Sequence, residues 1–402
     1  MLLAALGLAG TSACQAQSDT AAPRWPGISL HGFGTLGLTR TNTDSVEFVR
    51  DLTQADGVTT AWSAKVDSLL GLQANVQFRP DTEAVLQVVS RYHANADYRP
   101  ELTWAFVRHD VSPEVALRAG RLGTEFYMLG DSRLVGYSNL SLRPPPDFYG
   151  SLVFSYIDGL DASVTLPLAS GLLKGKLFAG RSPETSPFPT GITWNLRGSR
   201  LAGAYLDYTQ GPWQLRLSHV QVRFEHEAPI DALLQSVGDP LGGVPYLAIE
   251  PSMAMAHQRA GFDSVGLVFD QGPLNIQLML NKISHESPAY ADSTAGYLLA
   301  GYRFGALTPY LGVSRSRSDI RPLPLNPIPG VDAITYSLVA QSYTDQTTYT
   351  LGGRWDLRKN MAIKAQLDVV RGKPISVFTF KNALPDWGGR LTAFSVALDF
   401  VF

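Results

Sequence analysis

The sequence predicts an all-β protein, a transmembrane antiparallel up-and-down β-barrel of about 16 strands. Three observations predict it. Hydrophobic side chains alternate with small or polar ones over runs of eight to eleven residues, the length of a tilted strand crossing a bilayer. Short turns and long polar loops alternate between those runs, the asymmetry of a barrel with one short-turn rim and one long-loop rim. The segment LTAFSVALDFVF (391–402) keeps the alternation up to Phe402, where a soluble domain would let its end fray.

The strands follow in order. LLGLQANVQFR puts Leu70, Leu72, Ala74, Val76 and Phe78 opposite Gln73, Asn75, Gln77 and Arg79. LNIQLMLN sets Leu274, Ile276, Leu278 and Leu280 against Asn275, Gln277 and Asn281, and MAIKAQLDVV sets Ile363, Leu367 and Val369 against Lys364, Gln366 and Asp368. Strand centres fall near residues 33, 73, 88, 104, 118, 160, 176, 203, 218, 263, 279, 299, 311, 351, 366 and 396, an even number, as bacterial single-chain barrels have. Turns such as RPDTE, TQGPW and DQGPL join alternate pairs. Long Pro/Gly-rich loops occupy about 39–66, 123–150, 182–195, 226–254, 318–345 and 373–389.

Two places break the pattern. Arg108 falls on the outward phase of its strand, as a subunit contact or a snorkelling side chain would. LRLSHVQVRF changes phase around His219, which predicts a bulge. Trp104, Phe106 and Gly37 are candidates for an outward lateral contact face. Phe78, Phe269, Phe304, Trp355, Phe400 and Phe402 near one rim, with Tyr92 and Tyr349 near the other, are the expected aromatic girdles.

Composition agrees. The 402 residues carry 33 Lys+Arg against 35 Asp+Glu, a formal charge of −2, which gives no electrostatic reason to expect nucleic acid as a partner. Charged residues are 17% of the chain, under the roughly 25% of soluble proteins. The 37 glycines and the 10% aromatic content suit tight turns and strands. No run of 18 apolar residues follows residue 16, so a membrane-embedded chain would have only a closed barrel open to it. MLLAALGLAGTSACQAQ reads as a signal peptide over 1–16, short of its basic start and cleaved after Ala16, leaving 17–402 as the barrel domain. Cys14, the single cysteine, lies in that leader, so no disulfide is expected.

No motif calls for an enzyme. There is no P-loop, no GxGxxG after a strand, no HExxH and no Cys/His metal spacing, so neither cofactor nor metal is expected. GDSR (Gly130–Arg133) is similar to the nucleophile motif of one esterase family. That family wants its serine near the domain's N-terminus and a late Asp-x-x-His, and neither is found. A barrel esterase and a soluble secreted β-protein are the alternatives from other classes.

With its terminal Phe402, its sixteen strands and the loop TEFYMLGDSRLVGYSNLSLRPPPDFYG (124–150) after the fifth strand, the chain resembles the trimeric general porins of Gram-negative bacteria. RAGRLG (118–123) and SYIDGLDASVTLPL (155–168), on either side of that loop, are similar to porin segments as well. The resemblance implies an in-folded third external loop, a homotrimer in the outer-membrane lipid, and a water-filled channel for passive diffusion of small hydrophilic solutes and ions. It also implies that Phe402 is the signal read by the barrel-assembly machinery.

In such a channel, loop charges face wall charges across water. The loop offers Glu125, Asp131, Arg133, Arg143 and Asp147, and the inward-phase wall offers Arg79, Arg91, Arg118, Arg216, Arg303, Arg354 and Lys364. Arg91 and Arg118 lead, being near mid-strand and close to the loop's root. For any one arginine the alternative is a solvated lumen side chain or an ion pair holding the loop. Basic wall residues outnumber loop acids, which leans towards anions. A substrate-selective channel for an anion or a carboxylate is therefore the nearest alternative.

Overall fold

The computed structural model describes residues 27–402 apart from 320 and 324. The expected leader and Cys14 lie outside the described residues. The barrel strands are β1 (Gly27–Thr41), β2 (Leu69–Arg79), β3 (Thr82–Arg91), β4 (Glu101–Asp110), β5 (Val115–Gly123), β6 (Tyr156–Leu168), β7 (Gly171–Arg181) and β8 (Arg200–Gln210). They continue as β9 (Trp213–Arg223), β10 (Arg259–Gln271), β11 (Leu274–His285), β12 (Asp292–Tyr302), β13 (Leu307–Asp319), β14 (Asp345–Arg358), β15 (Met361–Gly372) and β16 (Arg390–Val401). Each pairs antiparallel with its neighbours, and β1 meets β16 from Phe33–Val401 to Thr41–Ala393, which closes the barrel. Every expected strand centre falls within one of these sixteen.

The period-two pattern sets the faces. Leu70, Leu72, Leu278, Leu280, Leu351 and Ile363 are exposed on the outside, whereas Ala362, Lys364, Gln366 and Asp368 are buried inside. An apolar belt on so many neighbouring strands is a lipid-facing surface, and closure satisfies every ladder hydrogen bond without water. At the short-turn rim, Gly211 and Gly272 adopt φ of 54° and 59°, a left-handed conformation that glycine enters without strain. Phe78, Phe304, Trp355 and Phe402 are exposed at this rim as expected. Trp213 joins them against Phe269 at 4.6 Å, and Tyr302 against Phe304 at 4.7 Å.

Three expectations are corrected. Arg108 points inward. Gln87 pairs with Trp104 but Val88 with Leu102, so Thr103 is an extra, bulged residue that reverses the phase of the rest of β4. Arg108 then stands opposite the lumen-facing Arg118 and binds Asp110 at 2.9 Å. The same bulge turns Trp104 and Phe106 inward, with the Arg118 guanidinium 5.1 Å from the Phe106 ring centre. Gly37 is also inward, since a Cβ there would lie 2.6 Å from the Asp67 Cβ. None of the three forms an outward contact face.

The second correction concerns His219. β9 is in unbroken register with both neighbours, so there is no bulge. Arg216, Ser218, Val220 and Val222 all point inward, and Leu217, His219, Gln221 and Arg223 all point outward. Polarity inverts, not phase. Beyond Ser218 the strand has left the hydrocarbon, so its outer face is polar while its inner face packs on buried aromatics of loop 124–150. Thirdly, Tyr92 is 3% exposed and its hydroxyl donates to Asp56, so it belongs to a loop core and not to the outer girdle; Tyr349 is exposed there as expected.

The long external loops carry short helices α1 (Pro146–Tyr149), α2 (Ile230–Ser236), α3 (Tyr246–Ile249) and α4 (Val331–Ala340). Ile230, Leu234, Tyr246 and Val339 from α2, α3 and α4 join Phe126, Tyr127, Met128 and Phe148 in one apolar cluster. The external loops therefore pack on one another and on loop 124–150 at the outer end of the barrel.

Candidate functional site

The segment between Gly123 and Tyr156 is the third external connection, and it lies inside the barrel. Its aromatic content requires a partner: Phe126, Tyr127, Phe148 and Phe154 are almost wholly buried. Hydrogen bonds fix it to the far wall. Ser218 of β9 donates to the Phe126 carbonyl at 2.7 Å, and the Leu142 amide donates to Gln366 of β15 at 2.9 Å. Ser314 of β13 and Gln346 of β14 each donate to Asp147 at 2.6 Å.

Near the loop's root, Glu125 meets three cations: Lys176 at 2.5 Å, Arg118 at 3.0 Å and Arg216 at 4.0 Å. Arg118 also binds Asp161 at 2.5 Å, and Arg216 binds Asp207 at 2.6 Å while its guanidinium sits 4.0 Å from the Tyr205 ring centre. Burial opposes ionisation of Glu125, but Lys176, Arg118 and Arg216 outweigh it and hold the carboxyl well below the usual carboxylate range.

Two further nests tie the loop to the strands that close the barrel. Arg143 binds Asp67 at 2.7 Å and Asp368 at 2.8 Å, donates to Thr39 at 3.1 Å and also reaches Ser395. Lys364 binds Asp399 at 3.0 Å and donates to the carbonyls of Gly136, Asn139 and Ser141 at 2.7, 2.7 and 3.0 Å. Arg354 donates to the Tyr137 and Asn139 carbonyls at 2.6 and 3.1 Å.

Other candidates are placed differently. Arg91 is the last residue of β3 and not mid-strand; it meets Asp51 at 3.4 Å and Thr53 at 2.9 Å, both in the first external loop. Arg133 donates to Ser155 at 3.0 Å. Asp131 and Arg133 line a cavity of about 30 Å³, room for one water. Arg79 and Arg303 are exposed at the short-turn rim and have no acidic partner within 4.0 Å among the described residues. Ser132 of GDSR donates to the Leu129 carbonyl at 3.3 Å and bonds no histidine among the described residues.

Sequence reasoning missed Lys176, Asp161 and Asp207. The inward phase of LLKGKLFAG carries Lys174 and Lys176 onto the lumen face, and that signal was available. Which acids meet them depends on cross-strand register: Lys174 stands opposite Asp207, which stands opposite Arg216.

The loop covers part of the inner wall. Inward residues of β13, β15, β16 and β1, such as Tyr310, Gln366, Ser395 and Thr35, are buried under it. Gln73, Asn75, Gln77, Arg108, Arg118, Ser163 and Lys174, on β2 and β4–β7, remain half-exposed. Inward Gln214 of β9 and Asn275 and Gln277 of β11, across the barrel, are half-exposed as well, so a polar lining towards the short-turn rim keeps contact with water on both sides of the lumen.

No protein-family model and no curated protein sequence matches the chain. Solved structures do. OmpF of Salmonella typhi, in complex with daunomycin, aligns at a TM-score of 0.58 with 11% identity, covering 94% of this chain and 98% of that one. The anion-selective porin of Comamonas acidovorans aligns at 0.53 with 15% identity over 94% and 99%, and OmpT of Vibrio cholerae in its trimer form at 0.55 with 11% over 94% and 100%. With its closed sixteen-stranded sheet and its third external loop inside, the chain has the fold of the outer-membrane porins.

Proposed function

We propose that this protein is a porin of the Gram-negative outer membrane, a channel for passive diffusion of small hydrophilic solutes and ions, assembled as a homotrimer. The observation that carries this is the half-exposed polar lining of the lumen beneath an in-folded loop, with charges of both signs gathered at the loop's root. A solute passing that level meets a fixed field of closely spaced opposite charges. Arg118, Lys174, Lys176 and Arg216 stand against Glu125, Asp131, Asp161 and Asp207, so the signs balance at this level, and the weak lean towards anions rests on the excess of basic wall residues over loop acids. The Comamonas relative in fold is described as anion-selective. Phe402, as the recognition residue for the barrel-assembly machinery, fits its position in the seam, where its amide and carbonyl bond Gly32 at 2.9 and 2.8 Å.

The test is single-channel recording in a planar bilayer under a salt gradient. Stepwise conductance in groups of three, with a reversal potential of the sign for anions, supports this reading. Conductance that saturates with one carboxylate solute would make it the substrate-selective variant. A folded, heat-modifiable barrel that passes no current would sink it.

A further inference from the structure

The outer surface of the barrel carries a row of like charges that the protein does not neutralise. Arg181 ends β7, Arg200 begins β8, Arg223 ends β9 and Arg259 begins β10, so all four lie at the long-loop rim. They are directly opposed in register: Arg181 with Arg200, Arg200 with Arg223, and Arg223 with Arg259. All four are exposed. Like charges directly opposite on a sheet repel, and here three such pairs run in succession.

Nearby acids are otherwise engaged. Asp158, opposite Arg181, is bound by Arg121 at 2.7 Å. Glu286 accepts the Arg259 amide at 2.9 Å and does not reach its guanidinium. Arg223 donates to the His257 carbonyl at 3.2 Å. Among the described residues, none of the four arginines has a carboxylate within 4.0 Å.

Position identifies what would supply the missing charge. Towards the bilayer, the next outward row is Ala179, Ala202, Gln221 and Gly261, a low and nearly flat surface. The row after it, Leu177, Ala204, His219 and Asp263, carries one exposed ion pair, His219 to Asp263 at 2.6 Å, and the apolar belt runs on from Leu177, Leu217 and Val265. Those residues are four to six positions from the arginines, roughly 13–20 Å along the strands at ~3.3 Å per residue, and about 9–14 Å in depth at a ~45° tilt. The guanidinium groups therefore stand at and just above headgroup level. Neighbouring strands are ~4.8 Å apart, so the row spans about 14 Å, more than one phosphate can cover. Arginine is suited to bidentate phosphate contact.

We infer that the row Arg181–Arg200–Arg223–Arg259 binds the headgroup of an outer-leaflet lipid carrying two phosphates. Each phosphate is shared between adjacent arginines, the headgroup sugars or glycerol lie over the Ala–Ala–Gln–Gly row, and the acyl chains run down the leucine belt. This rests on the outer-membrane reading above. Partition of the protein into water in a detergent-free extraction would defeat that reading, while a detergent-soluble folded barrel indifferent to lipid phosphate would defeat only this one.

The experiment compares the full chain with Arg200→Gln/Arg223→Gln in neutral detergent, following the temperature at which the heat-modifiable barrel is lost. Diphosphoryl lipid A, monophosphoryl lipid A and inorganic pyrophosphate are the probes. The wild type should be stabilised most by the diphosphoryl lipid, less by the monophosphoryl lipid and hardly by pyrophosphate, and the variant should show a third of that shift or less. Without lipid the variant should be at least as stable as the wild type, because repulsion is relieved. Equal responses of the two proteins would overturn the inference, as would a full shift from pyrophosphate alone, which would indicate a soluble phosphate. A variant weakened in the absence of lipid would overturn it too, by making the arginines structural.

Discussion

The guanidinium of Arg143 lies 2.7 Å from the carboxylate of Asp67, and neither side chain is more than 1% exposed. Asp67 comes from the first external connection and Arg143 from the third, so this pair locks two loops together against the β1–β16 seam. Asp368 of β15 shares the same guanidinium at 2.8 Å. Arg143→Met should therefore be severe, since it leaves two buried carboxylates without their partner, a loss of about 3–5 kcal/mol. Urea unfolding of the detergent-solubilised barrel measures it, and Arg143→Met/Asp67→Asn/Asp368→Asn should recover much of the loss.

The nest around Glu125 predicts selectivity. Lys176→Glu and Arg216→Glu reverse two of the three cations that face the Glu125 carboxylate. The reversal potential under a salt gradient should move towards cations in both single variants and further in the double variant. Unchanged potentials would mean that the solute path avoids this level of the barrel.

Glu184 gives a pH dependence. It lies in the external connection between β7 and β8 and accepts the amides of Ser155 and Tyr156 at 2.7 and 3.2 Å, where loop 124–150 returns to the wall. Burial outweighs those donors and pushes its carboxyl up to about 7 from an ordinary 4.5. A raised carboxyl binds its proton better in the folded state. Its contribution to stability is present in full below about pH 4.5 and is lost as pH rises through about 7. The unfolding temperature of the wild type should fall relative to Glu184→Gln across that window, and parallel curves would refute the assignment.

Phe402 separates assembly from stability. Its ring is 64% exposed, so Phe402→Ala should change the stability of refolded protein by less than ~1 kcal/mol. The yield of barrel assembled in cells should nevertheless fall several-fold, read as heat-modifiable protein in the outer-membrane fraction. Equal yields would remove Phe402 from the recognition role.

Period-two alternation is a local property. One apolar face per strand is written in runs such as LNIQLMLN and MAIKAQLDVV, and bilayer thickness limits how long those runs can be. Strand number and most of the facing were legible for that reason, as were Arg118 and Arg216 as charges of the lumen; the in-folding of the loop that carries Glu125 was implied by the resemblance to porins and not by the alternation. Only the closed structure decided which charges meet. The extra residue at Thr103 turned Arg108, Trp104 and Phe106 inward, which a strict alternation cannot register. The inversion of polarity at His219 arose because β9 outgrows the bilayer and packs its inner face on a distant loop. Partners such as Arg143 and Asp368, 225 residues apart, are set by closure and register. The faces of each strand follow from neighbours along the chain, and the pairing of charges follows from neighbours across space.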